Sequence, residues 1–156
     1  MTNTPTPMRP SKRCIDLIKQ FEGLFLKPYL CPANVPTIGY GSIMYDNGVK
    51  VKLTDPPITE ARATQLLTWE VTNKSNGVLA AVKPTVINQN QFDALVSFAY
   101  NCGIGALQKS TLLRKVKTNP NDPTIRAEFA KWNKGGGKVL AGLARRRKAE
   151  SDLYFS

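Results

Sequence analysis

A helix followed at once by a glycine-broken strand segment constrains the fold of this chain more than any other feature. Apolar residues recur at helical spacing after Ser11, a predicted N-cap, and Gly23 is placed to end that helix. Glu22 then lies on the last helical turn. From Tyr29 to Val51 the pattern changes to short strands, with prolines, glycines and the turn signal Asp46-Asn47-Gly48 between them. We therefore expect a small antiparallel sheet directly after the first helix.

The rest of the chain is predicted to be helical. Thr59 caps a long run from Glu60 to about Val82, in which Asn76-Gly77 would break or kink the helix. Four further helices are predicted after Pro84, at residues 89–100, 111–117, 124–133 and about 143–155, with loops at 101–109, 118–123 and 135–138.

These elements predict an α+β, mainly helical fold with two lobes. At 156 residues the chain fits one domain or two small lobes that share a linker. We expect an N-terminal lobe at 1–58, a connecting helix at 59–83 and a helical lobe at 84–156. A cleft between such lobes would suit an extended ligand.

Charge and composition narrow the functional classes. Lys and Arg number 22 against 11 Asp and Glu, a net charge of +11 that suits nucleic acid, an anionic membrane surface or a charged cell-wall polymer. The sequence has no His, which excludes Ser-His and Cys-His nucleophile pairs and His metal sites. Its three cysteines lack CxxC spacing. We therefore expect no metal and no cofactor.

The first ten residues are polar and rich in proline, without the apolar core of a signal peptide. The longest apolar run, near Leu95–Tyr100, is too short to span a bilayer. We expect a protein that is cytoplasmic when made, with reduced thiols, and that another component would have to release towards any external substrate.

Glu22, Cys31 and Thr37 are the candidate catalytic residues. Eight residues separate Glu22 from Cys31, and five separate Cys31 from Thr37. Cleavage of a glycosidic bond needs an acid on the leaving oxygen and a base or nucleophile across the sugar ring, usually two carboxyl groups. Here a thiol occupies the second position. By residue type alone, the three could equally be a surface glutamate, a core cysteine and a strand threonine.

The neighbours of Glu22 favour a chemical role. An apolar setting keeps a carboxyl proton available for transfer, and three apolar residues flank Glu22: Phe21, Leu24 and Phe25. Asp16 and Asp46 are alternative partner carboxylates, but we expect both to be solvated. Near the C-terminus, Arg145-Arg146-Arg147-Lys148 spreads around more than half of a helix, so at least one of these side chains should turn inward to a carboxylate.

The sequence resembles the bacteriophage lysozymes, the endolysins of glycoside hydrolase family 24. Their active-site signature is similar to Phe21-Glu22-Gly23, Tyr29 and Thr37-Ile38-Gly39-Tyr40-Gly41. Further blocks agree in the same order, over residues 12–155 in all: Gln91–Gly103, Ser110–Leu113, Phe129 with Trp132, and Gly142-Leu143 followed by Arg146, Arg147 and Glu150.

The resemblance implies a muramidase that hydrolyses the β-1,4 bond between N-acetylmuramic acid and N-acetylglucosamine in peptidoglycan. It places the general acid on Glu22, the second catalytic group, usually Asp, on Cys31, and the active-site threonine on Thr37. An arginine that pairs with the acid would be one of Arg145, Arg146 and Arg147. The resemblance also implies sugar contacts at Ile43, Tyr100, Asn101, Ser110, Thr111 and Trp132.

Several alternatives remain at this stage. Cys31 would activate water, with inversion at the anomeric carbon, or attack directly through its thiolate, with retention. A lytic transglycosylase would cleave the same bond with a single acid, and a cationic membrane-perturbing binder would use the basic C-terminal helix and its apolar residues. We expect a monomer that depends on a holin-type pore-former for release to the envelope. No motif supports nucleic-acid binding.

Overall fold

Helices dominate residues 7–156, the part of the chain that this computed structural model describes. In chain order the elements are α1 (Lys12–Phe21), β1 (Phe25–Leu30), β2 (Pro36–Gly39), α2 (Glu60–Val82), α3 (Gln89–Cys102), α4 (Ile104–Lys109), α5 (Thr111–Thr118), α6 (Ile125–Ala130), β3 (Lys134–Gly135), β4 (Lys138–Val139) and α7 (Ala141–Tyr154). The predicted α+β, mainly helical class is confirmed. Residues 1–6, part of the predicted N-terminal lobe and of the polar N-terminal segment, lie outside the described residues.

The chain forms two compact units. The first unit is Ile15–Asn73, and the second combines the described part of Met1–Cys14 with Lys74–Ser156. The division falls within α1 and within α2. The predicted limits at residues 58 and 83 stay a prediction.

In the first unit, β1 and β2 pair antiparallel around a small apolar core. Tyr29 lies opposite Thr37 and Leu30 opposite Pro36, while the register shifts between Phe25 and Tyr29. Ile38 of β2 is fully buried in a cluster with Val51 and Leu66, and Tyr45 and Ile58 pack against it. This burial fixes which face of β2 points inward, because successive strand residues alternate between faces.

Two tight turns follow β2. Ile38 and Ser42 exchange backbone hydrogen bonds of 2.9 and 2.8 Å, which folds the chain sharply at Gly39-Tyr40-Gly41. Both glycines have positive φ angles, +67° and +92°, values that other residues rarely adopt. The predicted turn at Asp46-Asn47-Gly48 is confirmed, since Tyr45 and Val49 are bonded across it and Met44 bridges to Lys50.

In the second unit, α3 runs through the core. Its N-cap Asn88 and Gln91 form a reciprocal capping box, and every residue from Gln91 to Ala99 is buried. The Phe98 ring contacts the rings of Phe129 and Trp132 edge-on, with centroids 5.9 and 5.3 Å apart. This aromatic cluster joins α3 to the segment around α6 and gives Trp132 a fixed support.

Two loop predictions for this unit are wrong. The predicted loop at 101–109 contains helix α4, and the predicted loop at 135–138 is a β3–β4 hairpin whose turn glycines, Gly136 and Gly137, both have positive φ. Of the break or kink predicted at Asn76-Gly77, the break is wrong, since helix α2 is continuous through Gly77, and the kink stays a prediction. A Cβ at Gly77 would lie 2.8 Å from the Ile104 side chain, so this glycine makes room for α4 and does not end a helix.

Helix boundaries otherwise follow the capping signals. Thr59 accepts a hydrogen bond from the Arg62 backbone at the start of α2, and Ser110 accepts one from Leu113 at the start of α5. The helix predicted at 124–133 is shorter, Ile125–Ala130, and the last helix begins slightly earlier than predicted, at Ala141. Among residues 7–156, none of the helices combines the length and apolar character needed to cross a membrane.

Candidate active site

Glu22 lies immediately after α1, half-buried, in the first unit. Its backbone N–H donates to the Ile18 carbonyl at 3.0 Å, so the helical hydrogen-bond pattern continues to this residue. A Cβ placed at Gly41 would lie 3.8 Å from Oε2 of Glu22. The absence of a side chain at Gly41 therefore leaves the carboxylate accessible from the side of the turn after β2.

Cys31 begins the tight turn that joins β1 to β2. Its N–H donates to the Val35 carbonyl at 3.1 Å, and the Asn34 N–H donates back to the Cys31 carbonyl at 2.8 Å. Asn34 itself has φ +59°, the left-handed conformation that asparagine tolerates better than most residues. These bonds hold the partly exposed thiol in one place.

The same turn stabilises the thiolate form of Cys31. Backbone N–H groups, first that of Val35 and then that of Ala33, hold the pKa of the Cys31 thiol below its ordinary value, and the Thr37 hydroxyl contributes in the same direction. Partial burial opposes them. A thiolate is both the stronger base and the stronger nucleophile, so the turn prepares Cys31 for either role.

Thr37 lies on β2, almost fully buried, at the end of the same turn. Its hydroxyl donates to the Val35 carbonyl at 2.8 Å. The Thr37 hydroxyl has one proton, which it can donate to the Val35 carbonyl or to the Cys31 sulfur. Its preferred acceptor therefore depends on whether Cys31 is ionised. Thr37 thus responds directly to the protonation state of Cys31.

The Tyr29 hydroxyl interacts electrostatically with both Glu22 and Cys31. Burial raises the pKa of the Tyr29 hydroxyl, and negative charge on Cys31 and on Glu22 raises it further. Tyr29 also pairs with Thr37 across the sheet, and its ring lies 4.2 Å from that of Phe25. The structure therefore gathers all three predicted catalytic residues around one tyrosine, which the sequence signature contains but to which we assigned no role.

Leu24 and Phe25 beside Glu22 are 37% and 48% exposed within their own unit, and the apolar setting that they give to Glu22 stays a prediction. Asp46 is exposed, as predicted. Both of its oxygens also bind Arg62, at 2.6 and 2.8 Å. The Arg62 guanidinium holds the pKa of Asp46 below its ordinary value.

The predicted sugar contacts are divided between the units. Ile43 belongs to the first unit and is half exposed. Tyr100 lies in the second unit with the Lys74 ammonium 4.8 Å from its ring centroid. The remaining four line two cavities of the second unit that share Lys131 and Trp132 as a common wall.

We name these two cavities by a lining residue. The Lys134 cavity, about 360 Å³, is lined by Asn101, Cys102, Lys131, Trp132, Lys134, Leu143 and Arg147. The Glu128 cavity, about 400 Å³, is lined by Lys109, Ser110, Thr111, Glu128, Lys131 and Trp132. The Ser110 hydroxyl is already engaged as the α5 cap and as a donor to Leu107, whereas the adjacent Thr111 is exposed.

The arginine cluster of α7 divides into two buried side chains and an exposed one. Arg146 and Arg147 are 3% and 1% exposed and both approach Glu150, at 3.5 and 2.7 Å, while Arg145 is exposed. Burial raises the pKa of Glu150, and Arg147, Ser97 and Arg146 favour its charged form. Two arginines, Arg146 and Arg147, therefore turn inward to a carboxylate, as predicted for at least one. The pairing of an arginine with Glu22 stays a prediction.

Sequence reasoning missed Lys134 as a cavity residue, and it named Arg147 only as a candidate partner of the acid. Lys134 occurs in an unremarkable run, and only the β3–β4 hairpin brings it beside Asn101. The available signal was Lys134-Gly-Gly-Gly-Lys138, which is a turn signal between two cations.

Comparison with known proteins identifies the family of this chain. The phage lysozyme family matches residues 19–150. An endolysin of Bacillus phage B103 is 44% identical over 149 residues; the match covers 96% of this chain but only 55% of that endolysin.

Solved structures match over nearly their whole length. An endolysin from Escherichia coli O157:H7 phage FAHEc1 superimposes with a TM-score of 0.85 at 38% identity, covering 98% of this chain and 97% of that one. The muramidase domain of SpmX from Asticaccaulis excentricus gives a TM-score of 0.78 at 32% identity, covering 96% of this chain and 99% of that one. The chain belongs to the phage lysozyme family.

Proposed function

We propose that this chain is an endolysin that hydrolyses the β-1,4 bond between N-acetylmuramic acid and N-acetylglucosamine in peptidoglycan. The observation that carries the proposal is the grouping of Glu22, Cys31 and Thr37 around Tyr29, in a chain of the phage lysozyme family. One structural relative is described as a muramidase domain. A carboxyl group and a thiolate stand where glycoside hydrolases use two carboxyl groups.

Glu22 is the proposed general acid. It gives its proton to the glycosidic oxygen as the bond to the anomeric carbon breaks through an oxocarbenium-like state. Gly41 leaves the approach to Oε2 open. One of Arg145, Arg146 and Arg147 is proposed to pair with this carboxylate after the proton has left.

Cys31 and Thr37 are proposed to act on water. The Cys31 thiolate accepts a proton from the water that attacks the anomeric carbon, and the Thr37 hydroxyl orients that water, so the configuration inverts. In the retaining alternative, Sγ of Cys31 bonds to the anomeric carbon, and water later displaces it with Glu22 as base. The anomer of the first product distinguishes the two routes.

The partners and location follow from this proposal. The substrate is bacterial peptidoglycan, and Ile43, Tyr100, Asn101, Thr111 and Trp132 are proposed to contact it, with Ser110 holding its helix in place. A monomer made in the host cytoplasm would reach the envelope through a holin-type pore-former. The net charge of +11 favours association with an anionic envelope.

Digestion of purified peptidoglycan tests the function. We expect wild-type protein to release muropeptides whose mass includes one added water, and Glu22→Gln to be slower by at least about 10²-fold, the contribution of a general acid. Glu70→Gln makes the same chemical change in the same unit outside the proposed site and should stay active. A Glu22→Gln variant with near wild-type rate would refute the assignment.

The same digestion separates hydrolysis from transglycosylation. A lytic transglycosylase closes a 1,6-anhydro ring and adds no water, so its products are lighter by one water molecule. Products of that mass would show that the protein is a lytic transglycosylase and not a hydrolase. Killing of bacteria that survives Glu22→Gln would reveal a separate membrane-perturbing activity.

A further inference from the structure

Tyr29 lies on the face of the β1–β2 sheet that carries two of the proposed catalytic groups. It is paired directly with Thr37, and side chains at such opposite positions share one face of an antiparallel pair. The Cys31 N–H donates to the Val35 carbonyl at 3.1 Å, so the pairing continues to Cys31. Because strand residues two apart point to the same face, the side chains of Tyr29, Cys31 and Thr37 lie on one side of the sheet.

The Phe25 ring supports that of Tyr29 and extends to the backbone beside Glu22. The two ring centroids lie 4.2 Å apart, with an angle of 36° between the ring planes. A Cβ at Gly23, the residue after Glu22, would lie 3.0 Å from Cε2 of Phe25. Phe25 therefore contacts both Tyr29 and the segment that follows α1, and the missing side chain of Gly23 permits this approach.

The Tyr29 hydroxyl keeps its hydrogen-bonding capacity. Within residues 7–156 it makes no hydrogen bond to another protein group. Other tyrosine hydroxyls donate to protein acceptors: Tyr40 to Glu60, Tyr45 to Asp55 and Tyr154 to the Pro120 carbonyl. Tyrosine hydroxyls usually have such a partner when they are buried. The O–H of the half-buried Tyr29 therefore remains available as a donor.

Two acidic groups act on this hydroxyl from the described part of the chain: Cys31, in the turn after β1, and Glu22, after α1. Burial raises the pKa of the Tyr29 hydroxyl, and negative charge on Cys31 and on Glu22 raises it further. Backbone N–H groups lower the pKa of the Cys31 thiol. Tyr29 therefore keeps its proton at any pH where Cys31 begins to ionise, and it faces both anions as a neutral donor.

Negative charge moves between these two groups in the proposed inverting reaction. Before the step, Cys31 is a thiolate and Glu22 carries a proton. As water bonds to the anomeric carbon, one water proton passes to Sγ of Cys31, and the proton of Glu22 passes to the leaving glycosidic oxygen. The charge therefore leaves the sulfur and appears on the carboxylate. A hydroxyl that rotates about its C–O bond can stabilise both arrangements.

We propose that Tyr29 is a positioning residue whose hydroxyl stabilises negative charge at both ends of this transfer, first on Cys31 and then on Glu22. The proposal rests on the proposed function. Tyr29 acts through these two groups, with its ring supported by Phe25 and its place on the sheet fixed by the pairing with Thr37. Action on both groups distinguishes Tyr29 from a side chain that only fills space beside the site.

The pH dependence of kcat/KM for Tyr29→Phe tests this role. The substitution keeps the ring and its contact with Phe25 and removes only the O–H donor. Both anions are then less stable, so Cys31 and Glu22 keep their protons to higher pH. We expect both limbs of the pH profile to move to higher pH together, and the rate at neutral pH to fall by about two- to tenfold.

Tyr45→Phe is the matched control. It makes the same chemical change in the same unit, on a hydroxyl that donates to Asp55 at 2.8 Å outside the proposed site. Both limbs should stay in place in this variant, and the melting temperatures of both variants show that they are folded.

Three results would overturn the proposal. A Tyr29→Phe profile that coincides with that of the wild type would show that the hydroxyl has no role. A lower rate with both limbs in place would show that the role is structural. Movement of the acidic limb alone would show that the hydroxyl acts on Cys31 and not on Glu22.

Failure of the proposed function can be recognised separately. If wild-type protein does not cleave peptidoglycan, carbon-13 NMR of Cβ of Cys31 and Cδ of Glu22 still follows both ionisations without substrate. Titrations of both groups that move to higher pH in Tyr29→Phe and stay in place in Tyr45→Phe support the role of the hydroxyl. Titrations that are the same in Tyr29→Phe and the wild type refute it.

Discussion

The two units place functional side chains by different means. In the first unit, Glu22, Cys31 and Thr37 lie close in sequence, and backbone bonds of a single turn position the thiol. In the second unit, the Lys134 cavity draws residues from α3, the β3–β4 hairpin and α7, which a buried ionic network holds together. Local geometry supports the first site, and tertiary packing supports the second.

Removing Arg147 should be the most damaging change to this arrangement. Arg147→Met leaves Glu150 buried with the Ser97 hydroxyl and the more distant Arg146, and it removes the donor to the Asn101 carbonyl. Breaking a buried pair from one side costs about 3–5 kcal/mol of unfolding free energy. Urea unfolding followed by circular dichroism measures this loss.

The matched control lies on the same helix. Arg145 is exposed, so Arg145→Met should change the unfolding free energy by less than about 0.5 kcal/mol. If Arg147→Met and Arg145→Met lost the same small amount of unfolding free energy, the buried ionic network would not stabilise the second site.

Replacing Cys31 should affect chemistry and leave the fold intact. Cys31 is partly exposed and its turn is made by backbone groups, so Cys31→Ala should retain the wild-type melting temperature. Its kcat/KM on peptidoglycan should fall by about 10²-fold, as expected for the loss of a general base. Near wild-type activity would show that another group fills this role.

The pH profile gives a second test of Cys31. Activity that needs the thiolate rises with pH as the thiol ionises, and it falls again where Glu22 no longer carries the proton that it donates. Because the Val35 and Ala33 N–H groups lower that pKa, the rise should occur below pH 9.0, the ordinary thiol value. In Cys31→Asp the carboxylate is ionised throughout this range, so the rise should be absent; an unchanged profile would contradict the role of the thiol.

The same contrast explains which features the sequence could predict. The helix–strand order, the caps Thr59, Asn88 and Ser110, and the cluster around Cys31 are encoded by neighbours in sequence. Helix α4 and the β3–β4 hairpin were missed, since Gly77 and Gly135 reveal their role only through the side chains they accommodate: Ile104 and Leu140. The Lys134 cavity depends on the missed β3–β4 hairpin, whose turn signal at residues 134–138 predicts a turn but not the side chains that it meets.

Thr37 should show a smaller and more specific effect. Thr37→Val removes the hydroxyl that helps to lower the pKa of Cys31, so the rise in activity should move to higher pH. The loss at neutral pH should stay within about tenfold, which corresponds to one pKa unit. Thr37→Ser keeps the hydroxyl and serves as the control. A fall in activity without a shift of the profile would assign Thr37 to substrate alone.

Salt should produce the smallest effect and should separate the two sites. Near about 0.5 M salt the Debye length falls to a few ångströms, roughly a third to a half of its value at about 0.1 M. With a net charge of +11, wall binding should weaken several-fold between about 0.05 and 0.5 M.

The Cys31 turn depends on short hydrogen bonds, so the pH profile at saturating substrate should hardly move with salt. Lys134→Gln should show a shallower salt dependence than Lys138→Gln, since it alone removes a charge from the cavity. Rates that stay unchanged at about 0.5 M would mean that charge does not guide association. A salt-dependent pH profile would instead show that charges beyond the turn act on the thiol.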